Sequence, residues 1–269
     1  LEDEKSKLNE NILELSDILA NETTLIKIIR KELNKTLTEL STPRLTQIED
    51  EIREVKIEIK ELIAKEDFHL IITKDGYLKR MTPRMYQTNE EPKLKEDDII
   101  IANYEVTSLD TILLFTDLGN YVYLPVQNIP EVRHRDLGYN ISTLVSIDQN
   151  EKIIFTVPVT DFNEEKYLLF TTKNGLIKQT KLSELKATRY SRALKATKIR
   201  DDDQLVSVDI SIEENPEVII ATKEGYLNRY DASEISIMAP PSFGVKAIEL
   251  KSRPHDEVVG AYYINEKDY

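Results

Sequence analysis

The feature that most constrains the fold of this 269-residue chain is a four-fold internal repeat. Each copy has an apolar run, a threonine, a short polar stretch, a glycine and a second strand-like run. The copies are LIITKDGYLKR (70–80), LLFTDLGNYVYL (113–124), LLFTTKNGLIKQ (168–179) and VIIATKEGYLNR (218–229). A glycine between two such runs is typical of a tight turn in which a central residue takes a positive φ. The repeat therefore predicts four β-hairpins.

Each hairpin is followed by further strand-like segments, so the repeating unit is larger than a hairpin. These segments are DIIIANYEV (98–106), ISTLVSI (141–147), IIFTVPV (153–159), ALKATKI (193–199), QLVSVDI (204–210), GVKAIEL (244–250) and VVGAYYI (258–264). Units of about 40–55 residues with four strands are typical of bladed, propeller-like domains. We therefore predict a mainly β fold in which residues 67–269 form four blades, each built from its own consecutive strands. A β-sandwich with coincidental turns is the alternative.

Residues 1–66 have a different pattern, with no glycine and one proline. Apolar residues recur there every three or four positions, which predicts amphipathic helices. The polar stretch at 21–24 interrupts this stripe, so we expect two helices. Residues 48–60 fit a helix, but the alternation of Val55, Ile57 and Ile59 favours a strand. We assign 1–66 to a helical segment and linker that precedes the β domain.

The composition disfavours several kinds of site. Cysteine is absent, which excludes disulfides and thiol nucleophiles, and the three histidines lie far apart in sequence. We expect no metal site, and the acidic run 201–203 fits a turn better than a cation site. No apolar run approaches the ~20 residues of a membrane span. The start LEDEKSKLNEN has neither an initiator Met nor a signal peptide, so we interpret the chain as part of a longer protein.

Several segments together resemble the C-terminal domain of the A subunits of bacterial type IIA DNA topoisomerases. They are ITKDGYLKRMTPR (72–84), EVRHRDLGYNISTLVSIDQNEKIIFTVPV (131–159), LKATRYSRALKATKIRDDDQLVSV (185–208), FGVKAIEL (243–250) and DEVVGA (256–261). The resemblance is collinear over essentially the whole chain. It implies a β-pinwheel that binds and bends duplex DNA. Such domains usually have five or six blades, so the four counted here imply a partial pinwheel.

The stretch PRLTQIEDEI (43–52) resembles the end of the family's catalytic core. Arg44, Thr46 and Ile48 match an Arg-Arg-Thr-x-Ile-like sequence, with Leu45 in place of the second arginine. The resemblance thus makes residues 1–66 the end of the breakage-reunion core. The family's active-site tyrosine lies upstream of this point, so no residue here is assigned a catalytic role and the piece alone is expected to be inactive.

One motif separates the two bacterial branches of this family. Gyrase A subunits carry a glycine-rich basic box after the first hairpin, whereas this chain has PRMYQTNEEPKLKEDD (83–98) there, with no glycine. Its absence favours the topoisomerase IV branch, whose function is ATP-dependent strand passage in relaxation and decatenation during chromosome segregation. The alternative is the DNA-wrapping domain of a gyrase A subunit.

The resemblance also implies partners outside this chain. The intact protein would form a homodimer of A subunits and bind an ATP-hydrolysing topoisomerase IV B subunit. Magnesium and ATP would be used by other regions, with no cofactor in this piece. Its expected location is the bacterial cytoplasm, on the nucleoid.

DNA contacts must come from local patches, because the chain has a net charge of -13 and phosphate binding depends on Lys and Arg. The strongest cluster is 178–200, with eight basic residues and one acid. Lys79 and Lys178 both lie three residues after a hairpin glycine, which predicts equivalent positions on an outer rim. The candidate DNA-contacting residues are Lys79, Arg80, Arg84, Arg133, Arg135, Lys178, Lys181, Lys186, Arg189, Arg192, Lys195, Lys198 and Arg229.

No base-reading element is evident, so we expect binding without sequence specificity. A different class of function also fits a bladed fold with an acidic surface. Such folds often serve as protein-interaction scaffolds, and that alternative predicts no DNA binding even at low salt.

Overall fold

A computed structural model describes residues 1–42, 63–87, 91–148, 150–211, 216–250 and 255–264. The chain divides into two compact units, Leu1–Lys56 and Ile57–Tyr269. The core-end motif at 43–52 and the helix-or-strand question at 48–60 lie outside the described residues.

The first unit contains the two predicted helices, α1 (Glu2–Ala20) and α2 (Glu22–Leu40). They are separated at Asn21, where the backbone is extended with φ -122° and ψ 104°. Neither helix buries a side chain within the described structure, so the apolar stripe is exposed. No helix among the described residues is long and apolar enough to cross a membrane.

Among its described residues, the second unit has fifteen strands in four antiparallel sheets, with two short α-helices, α3 (Pro83–Tyr86) and α4 (Ile141–Leu144). The strands are β1 (Asp67–Thr73), β2 (Tyr77–Met81), β3 (Ile100–Thr107), β4 (Thr111–Thr116), β5 (Asn120–Pro125), β6 (Tyr139–Asn140), β7 (Ile153–Val159), β8 (Tyr167–Thr172), β9 (Leu176–Lys181), β10 (Leu194–Lys195), β11 (Leu205–Ile210), β12 (Glu217–Thr222), β13 (Leu227–Asp231), β14 (Val245–Lys246) and β15 (Val258–Ile264). Their order in the sheets is β3-β1-β2-β6, β10-β5-β4-β7, β11-β8-β9-β14 and β13-β12-β15. The predicted mainly β, four-bladed class is confirmed.

The four predicted hairpins are present, and their turns share one design. The turn glycines have φ of +83°, +74°, +83° and +88° at positions 76, 119, 175 and 225. The repeat threonine closes each turn, as when Thr73 Oγ1 accepts the backbone N–H of Tyr77 at 3.1 Å. In the third repeat Asp203 Oδ1 accepts the N–H groups of Asn174 and Gln204, both at 2.9 Å. The acidic run 201–203 therefore supports a turn, as expected.

The prediction that each blade is built from its own consecutive strands is wrong. The fourth strand of the first three sheets comes from the following repeat: β6 pairs with β2, β10 with β5, and β14 with β9. These exchanged strands are only two residues long, so 193–199 and 244–250 are mostly not strand, and 141–144 is the helix α4. The fourth sheet has three strands among the described residues, and β13 lies at its edge.

The sheets pack face to face through apolar clusters. One cluster joins the first and second sheets, with Leu70 and Ile72 against Ile112 and Leu114. Comparable clusters join the second to the third sheet and the third to the fourth. Because side chains alternate along a strand, the two faces of each middle sheet contribute to different clusters. Consecutive apolar residues such as Leu113 and Leu114 are buried in different interfaces for this reason.

Because strands are exchanged between repeats, we expect the same Gly→Ala substitution to lower the free energy of unfolding by different amounts at two equivalent turns. A Cβ on Gly119 would lie 2.6 Å from the carbonyl oxygen of Thr197, which belongs to the next repeat. A Cβ on Gly225 would meet nothing within 4 Å. Gly225→Ala should cost about 1–2 kcal/mol, from the positive φ alone. Gly119→Ala should cost about 1–3 kcal/mol more, because the exchanged segment must also move.

Chemical denaturation of the two variants measures this difference in the free energy of unfolding. Equal losses for Gly119→Ala and Gly225→Ala would contradict the exchange.

Candidate nucleic-acid interface

The chain that leads to each exchanged strand runs along the edge of the preceding sheet. We call these segments exchange loops: the second (126–138), the third (182–193) and the fourth (232–244), numbered by repeat. The second loop meets β2, where the N–H of Val132 donates to Arg80 O at 3.0 Å. The fourth meets β9, where the N–H of Met238 donates to Gln179 O at 2.8 Å. Each of these two loops therefore covers a strand edge of the sheet before it.

The side chains four residues after the hairpin glycines anchor these loops. The Arg80 guanidinium donates to Val126 O at 3.3 Å, and its carbon lies 4.4 Å from the centre of the Phe68 ring. The rings of Tyr123 and Tyr190 are 5.5 Å apart. Gln179 Nε2 donates to Ala232 O at 2.6 Å. The loops are held by specific side-chain contacts as well as by backbone pairing.

Two of the exchange loops carry exposed basic residues and one carries none, although in the second loop Glu131 and Asp136 balance the two arginines. The second carries Arg133 and Arg135, and the third carries Lys186, Arg189 and Arg192. All five side chains are exposed. The fourth loop has no Lys or Arg. The arrangement places exposed cations along the edges of the first and second sheets.

Two of the predicted rim residues are not at the surface. Lys79 and Lys178 are both 0% exposed, which contradicts their interpretation as cations that meet a duplex. Lys79 Nζ donates to Lys93 O at 2.9 Å and to His134 O at 3.1 Å. Lys178 Nζ donates to Ala196 O at 2.8 Å and to Ser242 Oγ at 3.1 Å. Lys79 is buried because the segments around Lys93 and His134 cover it. Lys178 is buried in the same way by the segments around Ala196 and Ser242.

The two predicted arginines at equivalent hairpin positions also differ from expectation. Arg80 is half-buried, and desolvation lowers the pKa of its guanidinium. Arg229 is exposed but forms an ion pair with Glu217, with Nε 2.9 Å from Oε2. The remaining nine candidates are exposed: Arg84, Arg133, Arg135, Lys181, Lys186, Arg189, Arg192, Lys195 and Lys198. Arg80 therefore acts as a loop anchor, and the exposed nine carry the candidate interface.

Sequence reasoning missed one aromatic contact. Lys198 Nζ and the guanidinium carbon of Arg200 lie 5.8 and 6.0 Å from the centre of the Phe243 ring, which is 44% exposed. These residues meet because Thr197 and Ser242 form a β-bridge between the third and fourth repeats. The sequence carries no signal for a contact across 45 positions. Phe243 extends the cationic surface with an aromatic face.

No group of three or more metal-binding side chains is found in the part of the chain that the structure describes.

Comparison with known proteins agrees with this architecture. The model of a family described as the DNA gyrase C-terminal domain, a β-propeller, matches residues 69–88, 110–160, 166–211 and 216–265. The A subunit of DNA topoisomerase 4 from Bacillus subtilis (strain 168) is 35% identical over 270 residues, as is that from Staphylococcus aureus (strain MRSA252). Each of these alignments covers the whole chain and 33% of the relative. The chain thus spans about a third of the length of these curated relatives.

Solved structures show the same similarity. A crystal structure of the C-terminal domain of DNA topoisomerase IV matches with a TM-score of 0.71 and 39% identity, over 77% of this chain and 64% of that one. A gyrase A C-terminal domain matches in fold, with a TM-score of 0.54 and 22% identity, over 75% of this chain and 66% of that one. The resemblance inferred from the sequence motifs is confirmed.

The burial of Lys178 predicts a pH-dependent stability. Desolvation lowers the pKa of this lysine from 10.5 to about 8. In the unfolded chain it regains its ordinary pKa, so the unfolded state binds more protons between these values and the free energy of unfolding rises with pH there. Relative to Lys178→Met, the wild type should gain up to about 1.4 kcal/mol per pH unit in this window.

Urea denaturation of the wild type and Lys178→Met across that pH window measures the difference. A difference that does not change with pH would show that the lysine does not titrate from a buried site.

Proposed function

Since the chain belongs to the family of DNA gyrase A-type C-terminal domains, we propose that its β unit binds duplex DNA without sequence specificity and bends it along the exchange loops. The proposal places this chain in the A subunit of a topoisomerase IV-type enzyme, where it would present DNA segments for strand passage. Backbone binding of this kind needs cations that can reach phosphates, and it needs no contact with base edges.

The observation that carries the proposal is the third exchange loop. Within a chain of net charge -13 it holds three exposed cations and one acid, Glu184. The second loop adds Arg133 and Arg135 on the neighbouring sheet, together with two acids, Glu131 and Asp136. Cations repeated on successive sheets suit a curved duplex, because bending a site by 40–90° costs about 1–6 kcal/mol that added phosphate contacts must offset.

The larger assembly is part of the same proposal. The intact protein would dimerise through other regions and work with an ATP-hydrolysing B subunit in relaxation and decatenation, in the bacterial cytoplasm. We assign no catalytic residue within this chain. The missing glycine-rich basic box after the first hairpin supports the topoisomerase IV branch over gyrase.

Fluorescence anisotropy with a duplex of about 40 base pairs at increasing salt tests the proposal. The logarithm of the affinity should fall linearly with the logarithm of salt, with a slope of about -0.9 per phosphate contact. Reversing two charges of the third exchange loop, Arg189→Glu with Arg192→Glu, should reduce the size of the slope by about two and weaken binding at least about tenfold.

The matched control reverses two ion-paired lysines outside the loops, the partly exposed Lys166 and the exposed Lys223 (Lys166→Glu with Lys223→Glu), which changes the net charge equally. It should weaken binding much less. Equal losses in the two double variants would leave only a general charge effect and contradict the loop assignment. No binding by the wild type at low salt would favour the protein-scaffold alternative, and strong chiral wrapping of a plasmid would favour gyrase.

A further inference from the structure

We propose that Lys79 and Lys178 are positioning residues whose buried ammonium groups hold the cationic segments in the geometry that meets DNA. The role in DNA binding that we give to these lysines rests on the proposed function. The positioning itself is a property of the free protein and is tested separately.

Lys79 connects strand β2 of the first sheet to two other segments of the chain. It lies on β2, and its ammonium donates to the backbone carbonyls of Lys93 and His134. His134 stands between the exposed Arg133 and Arg135 of the second exchange loop. One buried ammonium therefore fixes the backbone between the two exposed arginines of this loop.

Lys178 makes the corresponding connection in the third sheet. Its ammonium donates to the backbone carbonyl of Ala196, which lies between the exposed Lys195 and Lys198. It also donates to the hydroxyl of Ser242, the neighbour of Phe243. The contact thus fixes the segment on which Lys198 approaches the Phe243 ring.

The fold itself does not require a lysine at this position. Lys79 and Lys178 lie three residues after a hairpin glycine, and the same position in the second repeat is Val122, which is also 0% exposed. An apolar side chain is therefore accepted at an equivalent buried site. Burying an ammonium costs several kcal/mol, which the neutral oxygens around both lysines and, for Lys79, the attraction of Asp136 only partly offset. The presence of lysine at these buried positions is therefore better explained by the segments that its ammonium group holds than by a contribution to the stability of the sheets.

The alternative is that the two lysines only fill space and bind polar backbone. A spin label distinguishes these roles, because the chain has no cysteine and one introduced cysteine is unique. Leu137→Cys places a nitroxide two residues after Arg135, at a partly exposed position. Adding Lys79→Met should sharpen the spectrum as the loop gains motion. The control is Lys74→Met, which removes an exposed lysine from the same hairpin.

DNA binding gives the second readout. Lys79→Met should reduce the size of the salt slope by about two, through loss of the Arg133 and Arg135 contacts, and weaken binding about tenfold or more. Lys74→Met should change the slope by at most about one. The second pair is Lys178→Met with its equivalent control Lys173→Met, and it keeps the test valid if Lys79→Met does not fold.

The outcomes separate the two proposals. A more mobile label together with a reduced slope supports positioning for DNA binding. A more mobile label on a protein that never binds DNA, even at low salt, supports the positioning and overturns the proposed function. An unchanged spectrum with Lys79→Met, together with unchanged slopes in both lysine variants and folds intact by circular dichroism, would overturn the positioning role.

Discussion

The organisation of the β unit depends on one interaction, the backbone pairing of a sheet edge with two residues from the next repeat. An unpaired edge strand exposes N–H and C=O groups, and exchange pairs part of that edge in each of the first three sheets. Its effect is visible two residues after the hairpin glycine. Leu78 and Ile177 are at most 1% exposed there, whereas Leu227, on the edge of the fourth sheet, is 66% exposed. Each repeat therefore completes the one before it.

Exchange also determines where charge is displayed. To reach the preceding sheet, each repeat must send a loop across its edge, and two of these loops carry exposed cations. Charges farther apart than about 8–10 Å are largely screened at physiological salt. Acidic residues elsewhere in the chain therefore oppose a phosphate much less than a loop arginine attracts it. A net charge of -13 is compatible with the proposed DNA binding for this reason.

The sequence predicted the features that carry a local signal. A glycine flanked by apolar runs marks each hairpin, and the three-four spacing marks the two helices. The exchange has no such signal, because a two-residue strand is too short for periodicity. ALKATKI resembles a seven-residue strand, yet only Leu194 and Lys195 pair with β5. The burial of Lys79 also has no local signal in the sequence, because the segments that cover it come from 14 and 55 residues away. Only Val122, at the equivalent position, indicated that this site faces inward.

The side chains that anchor the exchange loops differ in chemistry, but all of them lie on the second strand of a hairpin. In the second sheet, where Val122 replaces the lysine, the third loop is held by tyrosines: Tyr121 donates its hydroxyl proton to Leu185 O at 3.3 Å, and Tyr123 lies against Tyr190. The first and third sheets use Lys79 and Lys178 instead. The second strand of the hairpin thus anchors the incoming loop in all three sheets. What these sheets have in common is a fixed loop, which is what a surface that binds a rigid, curved duplex requires.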